Sequence, residues 1–133
     1  MTIIPPAHIL PGVQFPDKKK IIQEVANAYN LPVEALYEHT RKRTISEPRM
    51  VAIAVLKISI DVSNFDLGEE FGITGATVVH ARKTVKNLYL INKSFRVKFD
   101  SILAGLFIWE SDRQMISQSI INLDFNVLKT FEK

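Results

Sequence analysis

Residues 44–85 read TISEPRMVAIAVLKISIDVSNFDLGEEFGITGATVVHARKTV, a buried helix followed by the pattern of a helix-turn-helix. Phe65 to Gly72 is a short acidic segment in which Phe65, Leu67 or Gly68, and Phe71 are available to face inward. Its closing glycine suits the left-handed turn that ends a helix. Thr74 can then cap a second helix by accepting from the free N–H groups of the first turn. Beyond it Val78, Ala81, Val85 and Leu88 recur at helical spacing and predict a core stripe. Thr77, His80, Lys83 and Lys86 fall on the opposite face, with Arg82 on the flank. A helix that enters a major groove needs this distribution, because cations meet phosphates and small polar groups meet base edges. The two-helix pattern alone fits an ordinary solvated helical domain equally well.

The segment upstream separates the two readings. Glu38 to Met50 reads EHTRKRTISEPRM, in which Arg41, Lys42, Arg43 and Arg49, with His39, are opposed only by Glu38 and Glu47. Like charges this close repel one another, and a polyanion beside them relieves that repulsion and releases counterions. A basic loop by itself is usually solvated surface. Next to a helix-turn-helix it becomes a second contact surface, and double-stranded DNA becomes the expected partner.

From about Lys18 to Phe107 the chain resembles the C-terminal DNA-binding domain of the bacterial replication initiator DnaA. That family has a first helix, a short second helix, a basic loop, an Arg-Pro-Arg-Gln-type entry into a long apolar helix, and a helix-turn-helix. This chain supplies KKIIQEVANAYNLPVEALYEHTRKRTISEPRMVAIAVLKISID and then LGEEFGITGATVVHARKTV. The resemblance implies an all-α helical bundle of the Trp-repressor-like kind that binds DNA. It implies that Arg41 reaches the minor groove with Arg43 as its neighbour and Lys42 between them. Arg49, at the start of the long helix, would approach backbone and bases. Thr77 and His80 match the second threonine and the following histidine of the family's Asp-His-Thr-Thr-Val-x-His-Ala, near the phosphates or groove wall, with Lys83 one turn further on. Thr74, Gly75 and Ala76 stand where the family has Asp-His-Thr, and Met50 stands for its glutamine. Glycine offers no side chain and alanine only a methyl, so phosphate positioning looks retained while base readout looks altered.

The 133 residues fit one domain with a sizeable core, and a net charge of +3 with 47% hydrophobic residues places the basicity locally rather than globally. There is no cysteine, so disulfides and thiolate metal sites are excluded, in keeping with a cytoplasmic, nucleoid-associated protein. Residues 1–17, with Pro5, Pro6, Pro11 and Pro16, are expected to form an extended arm and not a signal peptide. Residues 18–109 are read as the DNA-binding domain and 110–133 as a C-terminal helical extension.

Within that domain Ile21, Ile22, Val25, Ala28 and Tyr29 are expected to face inward from a first helix preceded by Asp17. Leu31 to Val33 should turn into a short helix through Leu36 and Tyr37. Met50 to Ile60 is too short to span a membrane and reads as a central buried helix, with Ser46 as its cap, Glu47 at the positive dipole end and Pro48 in the first turn. Ser94 to Trp109 predicts a further helix. In the tail Met115, Ile116, Ile120, Leu123, Val127 and Phe131 suit an amphipathic helix, although Ile121, Leu123, Phe125 and Val127 also alternate as a strand would. Helix is the expectation, with core cover its commoner use and a partner contact the other.

Enzymatic chemistry has little support. There is no Gly-x-x-x-x-Gly-Lys-Ser/Thr loop, so a stand-alone domain without the initiator's ATPase module is expected. His8, His39 and His80 are scattered, and adjacent Glu69 and Glu70 read as a solvated face. No cofactor, metal, small-molecule substrate or membrane is expected. The reading from another class is a protein-interaction module that keeps the fold, has lost base readout, and docks on a replication or regulatory protein through the tail.

Overall fold

The structure, a computed structural model, describes residues 16–60 and 62–122. Among them the chain forms six α-helices: α1 (Lys18–Ala28), α2 (Arg43–Ser59), α3 (Asn64–Phe71), α4 (Gly75–Ile91), α5 (Lys93–Leu106) and α6 (Glu110–Asn122). A 3-10 helix at Val33–Tyr37 joins α1 to α2. The class is all-α, as the periodicity predicts. Most of the expected arm, and Leu123, Val127 and Phe131 of the expected tail helix, lie outside the described residues.

Helix α1 starts because Asp17 accepts from the Lys20 N–H at 2.8 Å. It stops where Asn30 takes a left-handed φ of 57°. There the Leu31 N–H reaches back to the Ala26 carbonyl at 2.9 Å and satisfies an end carbonyl. Ile21, Ile22, Val25 and Ala26 are buried, while Ala28 and Tyr29 pack at the rim.

Helix α2 is the axis of the bundle. Val51 to Leu56 and Ile58 are buried, so nearly the whole circumference of its second half is covered by other helices. No helix of the described residues is long and apolar enough to cross a membrane.

Its start differs from the expectation. α2 begins at Arg43, after a Lys42 cap that makes no side-chain bond, so Ser46 is not the cap and Pro48 lies inside the helix. The Lys42 carbonyl accepts from both Ile45 and Ser46 at 2.9 and 2.8 Å, and Arg43 pairs with Glu47 one turn on at 3.1 Å. These contacts carry an extra turn ahead of the proline. Pro48 removes only the bond to Thr44, which is solvent-exposed, and its ring is buried.

α3 is capped by Ser63, which accepts from the Asp66 N–H at 3.0 Å, and closes on Gly72 with φ 69°. Leu67, Gly68 and Phe71 face inward. Phe65 does not: it is 66% exposed. Two residues before Leu67 on a helix is about 200° away, so Phe65 cannot share its face. A Cβ at Gly68 would stand 2.5 Å from the Ile73 carbonyl oxygen, so α3 and the turn approach closely because this residue has no side chain.

Thr74 caps α4 as expected, accepting from the Thr77 N–H at 3.1 Å. The buried stripe of α4 is Val78, Ala81, Arg82, Val85 and Tyr89, with Leu88 packed at its edge. Arg82 is therefore not on the flank of the polar face; it is 2% exposed. Its position four residues after Val78 and three before Val85 puts it in the stripe, whatever its charge.

Asn92 ends α4 and caps α5, accepting from the Phe95 N–H at 3.0 Å. Arg96 donates to the Tyr89 and Leu90 carbonyls at 2.9 and 3.1 Å and so covers the open C-terminal end of α4. α6 lies on α2, α4 and α5, burying Ile116, Ser119 and Ile120. The helical reading of the tail holds through Asn122, and to that point its stripe covers the core.

Glu70 departs from the solvated face expected for it. Its carboxylate pairs with Lys18 at 3.0 Å and accepts from the Tyr37 hydroxyl at 3.0 Å, tying α1 and the 3-10 helix to α3. Tyr37 also stacks on Phe71, ring centroids 5.0 Å apart. The Lys18 hydrogen bond holds the Glu70 carboxyl below its ordinary range, and burial, with Glu70 as acceptor, pushes the Tyr37 phenol up to about 12. A carboxylate with a depressed folded pKa contributes stability above its unfolded value and loses it as pH falls through the folded one. Glu70→Gln is thus expected to lower the denaturant midpoint at neutral pH and to leave a shallower acid decline than the wild type. An unchanged acid limb would show that the pair contributes nothing.

Candidate nucleic-acid interface

The segment from Glu38 to Lys42 lies against the helix-turn-helix. The His39 ring sits over Gly72 so closely that a Cβ there would be 2.7 Å from its Cε1. Gly72 precedes the α4 cap by two residues, so this contact sets the basic loop beside the N-terminal end of α4. That end carries no acidic residue in its first turn. The positive end of the helix dipole is consequently left uncompensated.

Arg41 and Lys42 are exposed, and among the described residues neither forms an ion pair. Arg43 opens α2 rather than ending a loop. Its side chain is 71% exposed although its Nε donates to Glu47. Glu47 is held in turn by the Tyr29 hydroxyl at 2.9 Å. Burial, and Glu47 as acceptor, raise the pKa of that phenol, so it stays a donor. Arg43 thus presents its charge from a fixed base on α1 and α2.

Arg49 takes another course. Its guanidinium turns back onto the loop, one nitrogen donating to the Glu38 carbonyl and the other to the Thr40 carbonyl at 2.8 Å. It is half-buried, and desolvation lowers its pKa. Arg49 stands nearly two turns into α2, and its guanidinium is occupied by backbone.

On α4 Ala76, Thr77, His80 and Lys83 are exposed on one face, the last three about one turn apart along the axis. The Thr77 hydroxyl lies 2.9 Å from that of Thr74, so the two threonines at the corner are bonded to each other. His80 approaches Thr84 at 3.4 Å. Gly75 is half-buried, and a Cβ there would meet the Asn64 Cβ at 3.6 Å, an ordinary contact. A Cβ therefore fits at this position. Lys86 is half-buried and belongs to the margin of this face.

Of the ten residues singled out in the sequence, Arg41 and Lys42 lie on the loop, Arg43 at the α2 start, Thr74 at the α4 cap and Ala76, Thr77, His80 and Lys83 on the exposed side of α4, while Gly75 faces Asn64. Arg49 is turned onto the loop from inside. The residues that sequence reading passed over are those that hold the others: Tyr29 and Glu47 behind Arg43, and Gly68 beneath the turn. Gly68 had a signal, a glycine in mid-helix where alanine is favoured by about 1 kcal/mol, and Glu47 had another in its i,i+4 spacing from Arg43.

These elements define a helix-turn-helix domain with a basic loop packed against the turn. The model of the family described as bacterial dnaA protein helix-turn-helix matches residues 18–85. The chain belongs to this family. The chromosomal replication initiator protein DnaA of Bacteroides thetaiotaomicron is 32% identical to it over 101 residues, covering 71% of this chain and 22% of that protein. The DnaA of Bacteroides fragilis is 35% identical over 83 residues, 62% of this chain and 17% of that protein. That of Rickettsia bellii is 39% identical over 69 residues, 51% of this chain and 15% of that protein. The chain thus spans about a fifth of the length of the curated relatives it matches.

Proposed function

We propose that this chain binds double-stranded DNA, with α4 in the major groove and Arg41, Lys42 and Arg43 at the adjacent minor groove or backbone. The observation that carries the reading is the seating of His39 on Gly72, which brings that basic segment beside the exposed row Ala76, Thr77, His80 and Lys83. One ligand with two adjacent grooves and a charged backbone matches both surfaces. Its process is replication initiation or its regulation, in line with the names of the relatives, or transcription regulation. Backbone contacts would dominate, since the Thr74-Gly75-Ala76 corner offers few hydrogen-bonding groups to base edges.

That same corner favours the second reading, an interaction module with lost base readout. Against it, the exposed cations Arg41, Lys42 and Lys83 are without ion-pair partners among the described residues, and Ile116 and Ile120 of the tail are spent on the core.

Arg41→Ala separates the two. It is expected to weaken binding to every duplex alike and to reduce the salt slope by about 1, the signature of one lost phosphate contact. Fluorescence anisotropy across a salt series measures both quantities. Unchanged affinity and slope would make the loop solvated surface.

A further inference from the structure

We infer that Arg49 is a positioning residue, which sets the basic loop in place for DNA through the backbone of Glu38 and Thr40 instead of contacting DNA itself. The inference rests on the proposed duplex binding. Its geometric basis is the pair of bonds from the two terminal guanidinium nitrogens to carbonyls two residues apart, on the strand of chain that carries Arg41.

Other bonds show that this segment is built around those carbonyls. The Glu38 carbonyl also accepts from the Thr40 N–H at 3.0 Å, and the Lys42 N–H donates to the Thr40 hydroxyl at 3.2 Å. Each carbonyl bonded by Arg49 is therefore within three residues of Arg41, and His39 between them rests on the turn of the helix-turn-helix. Arg49 itself stands on α2, next to the buried run that begins at Val51. The rigid core thus reaches the loop backbone through this side chain. A guanidinium suits the task because its planar fork offers two separate nitrogens in fixed relation. An ammonium is a point charge on a flexible stem and does not reproduce that fork. Desolvation of the group agrees with a side chain directed at backbone and not at solvent.

The conservative variant discriminates. A phosphate contact would tolerate Arg49→Lys, which keeps the charge; a clamp would not. Arg49→Lys and Arg49→Ala are both expected to weaken duplex binding by roughly tenfold, about the effect of one lost charge-assisted contact. The Arg41→Ala, Arg49→Ala double variant should bind no more weakly than Arg41→Ala alone, since an unpositioned loop has already lost that contact. Lysine restoring wild-type affinity, or losses that multiply in the double variant, would overturn the inference and return Arg49 to the phosphates.

A second readout needs no DNA. Amide hydrogen exchange at Thr40 and Lys42 in the free protein should quicken by roughly tenfold or more in both variants while the α2 core stays protected. Unchanged exchange overturns the clamp. If the wild type bound no duplex, the functional reading would fall, and exchange would still decide whether Arg49 orders the loop.

Discussion

Gly68→Ala is expected to destabilise the domain by about 2–3 kcal/mol, even though alanine is the better helix former. The added methyl would lie 2.5 Å from the Ile73 carbonyl oxygen and 3.2 Å from the Thr74 carbonyl carbon, both backbone atoms of the turn. Backbone cannot rotate aside as a side chain does. Either α3 lifts from the turn or the Ile73 N–H bond to the Gly68 carbonyl, 2.8 Å long, is lost. Gly75→Ala is the control, because its methyl meets Asn64 at ordinary contact distances of 3.6 to 3.8 Å and removes a helical glycine. That variant should be neutral or stabilised by about 0.5–1 kcal/mol. For a domain of this size the first change corresponds to a fall in Tm of roughly 10 °C or more. Thermal unfolding checks the pair; similar midpoints for both variants would show that the close approach at Gly68 does not govern the turn.

The second large effect concerns specificity. Replacing Thr74-Gly75-Ala76 by Asp-His-Thr and Met50 by Gln is expected to create a strong preference for the initiator box of the family. Each restored base contact contributes about 1–3 kcal/mol. The corner accepts the change. Asp caps a helix as well as Thr does, a Cβ at Gly75 meets Asn64 only at ordinary contact distance, and Ala76 is exposed. Arg41, Lys42 and Lys83 are untouched, so the salt slope should stay that of the wild type. Binding of box and scrambled duplexes in competition measures the change. A wild-type protein that already prefers the box by several kcal/mol would place readout elsewhere, in Lys83 or the Arg41 loop.

What the sequence made legible was local. Asp17 and Thr74 each cap a helix through a bond three residues away, and Gly72 takes the turn conformation that only a glycine enters freely. The apolar run after Met50 declared the central helix without any partner being known. The surface positions of Thr77, His80 and Lys83 followed from the same stripe seen from behind, while Lys86, expected beside them, is half-buried.

The misreadings have different causes. Glu70 looked solvated because its partners lie 52 and 33 residues away, at Lys18 and Tyr37. The bonds of Arg49 were hidden in the same way, because carbonyls carry no residue identity and nothing in EHTRKRTISEPRM marks Glu38 and Thr40 as acceptors. Arg82 was placed by its charge, although its spacing from Val78 and Val85 put it inside. Ser46-Glu47-Pro48 carried a sound start signal, which the Arg43–Glu47 pair and the Lys42 carbonyl overrode by one turn. Phe65 was a question of helical phase, settled once Leu67 and Phe71 were fixed inward.

Duplex binding by the wild-type chain is tested most directly by titrating it against a box-containing and a scrambled duplex over a series of salt concentrations. Comparable affinities for the two are expected, with log K falling linearly in log salt at about −0.9 per phosphate contact and several contacts in all. No detectable binding to either duplex at low salt would contradict it.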